Sequence, residues 1–214
     1  MSFERLLGPT RVVPVITISD ADAAVPLAEA LVAGGLQVLE ITLRTDAGLE
    51  SIRRIAAEVP GAVVGAGTVT TAQQLLDARN AGAQFVVSPG CTESLAAAAA
   101  DAGGVFLPGA VTATEVLRLL ELGISMMKFF PAETSGGIAA LKALGAPFPH
   151  VRFCPTGGIG LERAPSYLAL GNVVCIGGSW MVPAELIEHH DWAAITALAA
   201  EATSATRLPA TAAL

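Results

Sequence analysis

The amino-acid sequence predicts an α/β protein of the (β/α)8 TIM-barrel class, in which eight parallel strands are each followed by a helix. Three observations lead to this prediction. Short apolar runs rich in β-branched residues alternate with Ala- and Leu-rich segments about eight times along the 214 residues. The runs are apolar at nearly every position, which is typical of parallel strands covered by helices. Residues that commonly begin and end helices flank the Ala- and Leu-rich segments.

The predicted strands are short, nearly continuous apolar runs. In chain order the strands cover residues 12–18, 36–42, 62–66, 84–88, 105–107, 124–129, 151–154 and 173–176. Pro14 is unfavourable inside the first strand, because proline removes a backbone donor from the hydrogen-bond ladder.

The predicted helices cover residues 21–33, 46–58, 71–81, 92–102, 112–122, 137–144, 161–169 and 183–201. Candidate N-cap residues lie at the starts of four of them: Asp20, Thr71, Thr92 and Thr112. Candidate C-cap glycines follow four helical segments: Gly34, Gly82, Gly103 and Gly123. We also expect a short extra helix near residues 2–8, covering the bottom of the barrel.

The length suits one domain with a substantial core, which we place at residues 1–214. Strand–helix units recur at a mean spacing of roughly 25 residues, which fits a closed barrel near the lower size limit of that fold. An open, doubly wound sheet is the alternative. The turn after the first strand lacks the Gly-x-Gly-x-x-Gly pattern with which such sheets bind dinucleotides.

Composition excludes several classes of function. Hydrophobic residues make up 53% and charged residues 14% of the chain, as in a compact protein. The net charge is −7 and the basic residues are scattered, so we expect no nucleic-acid partner. No apolar run approaches the roughly 18 residues of a membrane span. The N-terminus lacks the pattern of a signal peptide, so we expect a cytoplasmic protein without a membrane partner.

Three cysteines, Cys91, Cys154 and Cys175, lie in or beside apolar runs. An odd number of cysteines without a signal peptide argues against a disulfide framework, and their spacing fits no zinc template. We therefore expect buried free thiols and no metal site.

The second predicted strand carries charged residues on one face. Side chains alternate across a strand, so Leu39 and Ile41 share the face that meets the helices. Glu40, Thr42 and Arg44 then point into the barrel lumen. Burying a charge there is costly unless it is paired or takes part in chemistry. A Glu40–Arg44 ion pair that serves only stability is the alternative to a catalytic role.

The sixth predicted strand places a lysine among apolar residues. Alternation puts Met126, Lys128 and Phe130 on one face. Apolar surroundings disfavour the ammonium form of Lys128 and so favour the neutral amine that Schiff-base catalysis needs. Two structural alternatives remain open, an ion pair with Glu40 and a lysine that reaches solvent at the strand end.

Glycine-containing turns close four of the predicted strands: Gly65–Thr68, Ser88–Gly90, Pro155–Ile159 and Gly177–Trp180. Barrel enzymes commonly bind phosphate with backbone N–H groups in the loops after strands seven and eight. The Gly157–Gly158 and Gly177–Gly178 pairs stand in those two loops. A tight turn also needs glycine, so each pair alone is a weak signal.

Six segments together resemble the class I 2-keto-3-deoxy-6-phosphogluconate (KDPG) aldolase family, whose members often also act as 4-hydroxy-2-oxoglutarate (KHG) aldolases. The segments are GGLQVLEITLRT (34–45), VVGAGTV (63–69), QFVVSPG (84–90), MKFFPAE (127–133), VRFCPTGGI (151–159) and CIGGSW (175–180). The resemblance runs in order from about residue 12 to 185. The LEITLRT and KFFPAE segments occurring together make it specific.

The resemblance implies a metal-independent lyase without a cofactor, usually a homotrimer, on a (β/α)8 barrel in the Entner–Doudoroff pathway. It implies cleavage of KDPG to pyruvate and glyceraldehyde 3-phosphate, and of KHG to pyruvate and glyoxylate. Lys128 matches the Schiff-base residue and Glu40 the proton shuttle. The remaining matches bind substrate: Arg44 and Thr68 at the pyruvate carboxylate, Pro89 and Phe130 lining the pyruvate pocket, and Thr156, Gly157, Gly158, Gly178 and Ser179 at the phosphate.

Three other functions remain as alternatives. An aldolase for the galactonate-derived epimer would use the same Schiff base. A sugar-phosphate isomerase or epimerase would keep the phosphate turns but form no covalent intermediate. A non-catalytic binding barrel would not need Lys128 for affinity.

Overall fold

The computed structural model describes residues 3–207. The predicted domain 1–214 extends beyond them, since residues 1–2 and 208–214 lie outside the described part. Parallel β-strands alternate with helices along the chain. The strands are β1 Val12–Ile16, β2 Val38–Thr42, β3 Val63–Gly67, β4 Phe85–Val87, β5 Val105–Leu107, β6 Met126–Phe129, β7 Arg152–Pro155 and β8 Ile176–Gly178.

The α-helices lie between the strands and after β8. They are α1 Ala24–Ala33, α2 Gly48–Glu58, α3 Ala72–Asn80, α4 Glu93–Ala102, α5 Ala113–Glu121, α6 Gly137–Gly145, α7 Ala164–Leu168, α8 Ala184–Glu188 and α9 Trp192–Thr206. None of the helices between residues 3 and 207 has both the length and the apolar character needed to cross a membrane.

The eight strands form a ring, which confirms the predicted (β/α)8 barrel. Six of them pair in the order β5-β4-β3-β2-β1-β8, and β6 pairs with β7. An isolated parallel bridge from Gly109 to Lys128 joins the β5 end to β6. A second bridge, from Thr156 to Gly177, joins the β7 end to β8. The ring is therefore continuous. However, the junctions of β5 with β6 and of β7 with β8 have fewer paired residues than the other strand junctions.

The lower half of the barrel lumen is filled by apolar side chains. Val13, Val38, Phe85 and Leu107 belong to one buried cluster, together with the ring of Phe3. The Phe3 ring packs edge-on against Phe85, with centroids 5.2 Å apart. Phe3 belongs to a 3-10 turn, Phe3–Leu6, so the expected N-terminal helix is a short 3-10 element that covers the barrel bottom.

Threonine caps begin three helices as predicted. The hydroxyls of Thr71, Thr92 and Thr112 accept hydrogen bonds from backbone N–H groups at the starts of α3, α4 and α5. Each cap satisfies an otherwise unpaired donor in the first helical turn. Asp20 caps a 3-10 turn, Ala21–Ala23, that leads into α1 rather than capping α1 itself.

The predicted eighth strand was placed too early. The sequence predicted 173–176, whereas β8 pairs with β1 through Ile176, Gly177 and Gly178. Glycine is a poor strand former, so the apolar residues before it gave the stronger signal. The Gly177–Gly178 pair therefore lies within the strand, not in a loop after it.

The predicted last helix, 183–201, was wrong as one element. It is two helices, α8 and α9, separated at His189–Asp191. His190 adopts a left-handed backbone conformation with φ 56°, which ends the helical path. The Asp191 side chain accepts a hydrogen bond from Ala194 N and begins α9.

Candidate active site

A buried ion pair lies in the lumen between opposite parts of the barrel. Lys128 Nζ on β6 donates a hydrogen bond to Glu40 Oε1 on β2 at 3.0 Å. The two side chains are only 5% and 4% exposed. Glu40 therefore pairs with Lys128, and not with Arg44 as the alternative for β2 proposed. Removing one partner of such a pair would leave an uncompensated buried charge.

Strand alternation on β6 sets the direction of Lys128. Met127 and Phe129 point outward and are fully buried under the helices. The Lys128 backbone is fixed on both sides, because its N–H donates to Pro108 O at 2.8 Å and its carbonyl accepts from Ala110 N at 2.9 Å. Its ammonium lies 5.3 Å from the centroid of the Phe130 ring. Such a contact between a cation and an aromatic face is favourable.

A glycine on the neighbouring strand makes room for the Glu40 carboxylate. Gly67 on β3 stands beside β2, where Thr42 is its register partner. A Cβ at Gly67 would lie 2.6 Å from Glu40 Cγ and 2.8 Å from Glu40 Cδ. Real Cβ atoms do not approach other carbons this closely. The missing side chain at Gly67 thus permits the position of Glu40 beside Lys128.

A cavity of about 400 Å³ opens at the C-terminal end of the barrel. Val15 lines it and is the register partner of Glu40, whereas Glu40 and Lys128 themselves are not part of its lining. Seven of the sequence-predicted site residues line this cavity: Arg44, Phe130, Thr156, Gly157, Gly158, Gly178 and Ser179. The volume falls within the range of small-molecule sites.

Arg44 stands at the mouth of the cavity. Its side chain is exposed and lines the cavity, rather than being buried beside Glu40. The sequence placed it on the lumen face of β2, but β2 ends at Thr42, two residues earlier. A guanidinium at this point is free of an ion pair within residues 3–207.

Thr68 and Pro89 are not part of the cavity lining, but each adjoins a residue that neighbours the ion pair. Thr68 follows Gly67 directly and has a left-handed backbone, with φ 58°. A threonine rarely adopts this conformation, and such strain concentrates at functional sites. The Pro89 carbonyl packs against Gly109, the residue bridged to Lys128.

Two glycine segments form the far wall of the cavity. Gly157 and Gly158 both have left-handed backbones, with φ values of 103° and 77°, which other residues rarely adopt. Gly177 packs against the Thr156 side chain, and a Cβ there would overlap the threonine hydroxyl. Ser179 is exposed at the rim. Backbone without side chains lets a ligand approach the main chain closely.

Comparison with known proteins decides the family. A sequence model described as KDPG and KHG aldolase matches residues 3–198. The chain is 53% identical over 203 residues to the 2-dehydro-3-deoxy-phosphogluconate aldolase of Dickeya dadantii, with 95% of each chain covered. It is 51% identical over 207 residues to the KHG/KDPG aldolase of Escherichia coli, with 97% of each covered.

The chain belongs to the KDPG and KHG aldolase family.

A solved structure supports the same assignment. The KDPG aldolase of Legionella pneumophila, 43% identical, superimposes with a TM-score of 0.91 over 94% of this chain and 97% of that one. In that protein pyruvate was captured as a covalent carbinolamine intermediate. The resemblance seen in the sequence, and with it the expectation of an aldolase, is confirmed.

Thr17 is a cavity residue of this aldolase that the sequence interpretation missed. It follows β1 on the face shared by Val13 and Val15, so the alternation rule applied to β2 and β6 would have found it. Its hydroxyl lies 3.0 Å from the hydroxyl of Thr42, which is fully buried. Ile159, Val182, Pro183, Ala184 and Ile187 also line the cavity.

A larger cavity, of about 790 Å³, lies between α4 and α5. Cys91, Glu93, Glu115 and Arg118 are part of its lining, and none of the predicted site residues is. Burial raises the pKa of the Cys91 thiol, which disfavours a reactive thiolate. This cavity therefore lacks the chemistry found beside Lys128. Cys91 is half-buried, whereas Cys154 and Cys175 are buried free thiols as expected.

Proposed function

We propose that the protein is a class I aldolase that cleaves KDPG to pyruvate and glyceraldehyde 3-phosphate, and KHG to pyruvate and glyoxylate. The observation that carries the proposal is the buried hydrogen bond between Lys128 and Glu40, at the level of the barrel where Val15, the register partner of Glu40, lines the cavity. It joins a nucleophile to a proton acceptor, which is the arrangement that activates an amine. The names of the relatives supply the substrates.

Glu40 begins the reaction by accepting the ammonium proton of Lys128 along their hydrogen bond. The neutral amine attacks the C2 carbonyl and forms a carbinolamine. Glu40 returns the proton to the carbinolamine hydroxyl, which leaves as water and gives an iminium ion. The first transfer follows the 3.0 Å hydrogen bond between the two side chains, a distance within the reach of a general base.

Carbon–carbon cleavage follows from the positive charge on the iminium. Glu40 accepts the proton of the C4 hydroxyl as the C3–C4 bond breaks, and the bonding electrons move into the iminium to give an enamine. The aldehyde product leaves. Glu40 then protonates C3 of the enamine, and water hydrolyses the resulting iminium to release pyruvate. The carboxylate and the amine are regenerated.

The remaining predicted residues hold the two ends of the substrate. Arg44 and Thr68 bind the carboxylate of the keto acid, for which the two-pronged guanidinium geometry is suited. Pro89 and Phe130 enclose the pyruvate portion. Thr156, Gly157, Gly158, Gly178 and Ser179 bind the phosphate at the glycine-lined wall. Holding both ends fixes C2 against Lys128 and lowers the entropic part of the barrier.

We further propose that the chain acts as a single domain and assembles into a homotrimer in the cytoplasm. The family resemblance supports the trimer and a place in the Entner–Doudoroff pathway. The acidic, compact composition agrees with a metabolic enzyme whose partners are small keto acids and phosphorylated aldehydes.

Borohydride reduction in the presence of pyruvate tests the proposal. The sequence contains two lysines, Lys128 and the exposed Lys142, so intact mass and peptide mapping locate any adduct without ambiguity. We expect one reduced pyruvyl group on Lys128 in the wild type and in Lys142→Met. Lys128→Met should remain unlabelled. Full reduction without any adduct in the wild type would exclude the aldolase and favour the isomerase or epimerase.

Substrate choice is tested by comparing kcat/KM for the gluconate- and galactonate-derived phosphorylated acids. We expect the gluconate-derived acid to be preferred, because the relatives at about half identity are named for it. The reverse order would assign the galactonate epimer and leave the Schiff-base mechanism intact.

A further inference from the structure

Three side chains form a hydrogen-bonded cluster behind the glycine wall of the cavity. Glu133 follows β6, and its carboxylate accepts hydrogen bonds from the Tyr167 hydroxyl and the Arg163 guanidinium. Tyr167 is fully buried, whereas the Arg163 side chain is 64% exposed. No role for Glu133 was predicted from the sequence. The cluster joins the β6 loop to α7.

Glu133 is also hydrogen-bonded through its backbone to the turn after β7. Glu133 N donates to Gly157 O at 3.2 Å, and the preceding Ala132 N donates to Thr156 O at 2.7 Å. The aliphatic part of Glu133 lies directly on Gly158, where a Cβ would be 2.7 Å from Glu133 Cγ. The left-handed conformations of Gly157 and Gly158 are thus supported from behind by Glu133.

The donor and acceptor roles in the cluster are stable at neutral pH. The hydrogen bond from Tyr167, opposed by burial and aided by Arg163, holds the pKa of Glu133 below its usual value. Burial and the hydrogen bond to Glu133 raise the pKa of Tyr167. Glu133 therefore stays an ionised acceptor and Tyr167 a donor. Arg163 offsets a negative charge that would otherwise repel a phosphate bound at the turn.

We propose that Glu133, held by Tyr167 and Arg163, is a positioning residue that sets the Gly157–Gly158 turn for the substrate phosphate and so determines the preference for phosphorylated keto acids. The inference rests on the proposed function, which places the phosphate at this turn. Glu133 acts through the turn. Its loss should therefore weaken binding of the phosphate end and leave the bond-making steps at Lys128 intact.

Two disrupting variants and one conservative variant test the role. Tyr167→Phe removes a single hydroxyl from a buried ring, and Glu133→Ala removes the whole support. Glu133→Gln keeps an acceptor for Tyr167. Thr203→Val is the matched control, because it removes another buried hydroxyl, bonded to Gly34 O at 2.8 Å at the opposite end of the barrel.

KM and kcat are measured for KDPG and for unphosphorylated KHG. We expect Tyr167→Phe to raise KM for KDPG about tenfold, as for the loss of one hydrogen bond to a charged group. Glu133→Ala should raise it further, and Glu133→Gln should recover part of the loss. The KM for KHG should change much less in all three. Thr203→Val should lower the melting temperature without changing the ratio of the two KM values.

Equal losses for both substrates, or the same pattern in Thr203→Val, would overturn the inference and assign the cluster to fold stability. Calorimetric titration with glycerol 3-phosphate separates this failure from failure of the proposed function, because it needs no turnover. Weaker binding in Glu133→Ala than in the wild type supports the inference even if pyruvate never labels Lys128. Unchanged affinity overturns it even if Lys128 is labelled. Should Tyr167→Phe not fold, the Glu133 pair of variants decides.

Discussion

At the scale of single residues, burying the Lys128–Glu40 pair requires free energy, which indicates that the pair has a role other than stability. The attraction between two buried charges offsets the loss of their hydration only when the geometry is close, so such pairs contribute little net stability. The chain nevertheless keeps both charges and leaves out a side chain at Gly67 to accommodate one of them. Chemistry at Lys128 explains this arrangement better than stability does.

Gly67→Ala should therefore reduce both the turnover rate and the stability of the fold. The added Cβ would overlap the Glu40 carboxylate and push it away from Lys128. Because a small displacement of a catalytic group strongly lowers the reaction rate, we expect kcat on KDPG to fall by about 10²-fold. The substitution should cost roughly 1–3 kcal/mol of folding free energy through overpacking. Steady-state kinetics and urea denaturation measure the two effects.

Gly171→Ala is the control for this substitution, since a Cβ there meets no atom within 4 Å. It should leave both kcat and the unfolding midpoint close to the wild-type values. A folded Gly67→Ala enzyme with wild-type kcat would show that the position of Glu40 does not limit the reaction.

The residues whose positions the sequence predicted well are those on regular strands. Alternation alone directed Glu40 and Lys128 into the lumen, and their contact follows from the barrel. Arg44 lies beyond the end of β2, so the same rule placed it too deep. The Glu133–Tyr167 contact joins residues 34 positions apart in two loops or short helices. No periodicity in the sequence connects them.

At the scale of elements, α5 has the most complete start signal among the described helices. The Thr112 hydroxyl accepts from Glu115 N, and the Glu115 carboxylate accepts from Thr112 N at 2.8 Å, which completes a capping box. Burial alone would raise the pKa of Glu115. Hydrogen bonds from the Val111 and Thr112 backbones and the Thr112 hydroxyl outweigh it and lower that pKa.

The capping box should make α5 stability depend on pH with a definite sign. The lowered pKa means that the folded chain binds the Glu115 proton less readily than the unfolded chain does. Its stabilisation is therefore complete above the ordinary glutamate pKa of about 4.3 and is lost as the pH falls through the lower, folded-state value. Glu115→Gln should melt below the wild type at pH 7, and the difference should shrink under acidic conditions.

Thermal melts of both proteins from pH 7 to the acid limit of folding measure this. Arg118 also contributes to the Glu115 pKa, so Arg118→Gln serves as a control that leaves the box intact. A melting difference that stays constant with pH would mean that the Glu115 charge does not contribute to the cap.

Helices and strands were predicted correctly where the local sequence signals agree with the pairing of the strands in the barrel. Strands β1 to β7 and their helices begin and end near the predicted residues, because apolar runs, caps and turns coincide there. Among the strands the exception is β8, which contains Gly177 and Gly178, whose strand conformation comes from pairing with Val13 and Pro14 of β1. Such a contact between the chain ends is invisible to local propensity.

At the scale of the whole molecule, the ring is made of two unequal arcs. The β2–β3 pair alone has five register pairs, whereas β6 meets β5 through the single bridge between Gly109 and Lys128. Glu40 belongs to the six-stranded arc and Lys128 to the β6–β7 arc. Their hydrogen bond thus crosses the lumen and connects the two arcs. In the mechanism that we propose, the Schiff base on Lys128 replaces that hydrogen bond with bound substrate.

Hydrogen exchange should detect the weakly paired junction between β5 and β6, which we call the seam. Regions joined by few backbone hydrogen bonds open at lower free energy than well-paired strands, so peptides covering 105–130 should exchange faster than peptides covering 36–66. After borohydride fixes pyruvate on Lys128, exchange in 105–130 should slow if Arg44 on the other arc binds the adduct carboxylate, as we propose. Lys128→Met, which removes the lumen connection, should exchange faster there than the wild type. Equal exchange in the free and reduced enzymes would mean that the seam is closed by packing alone and that substrate does not bridge the two arcs.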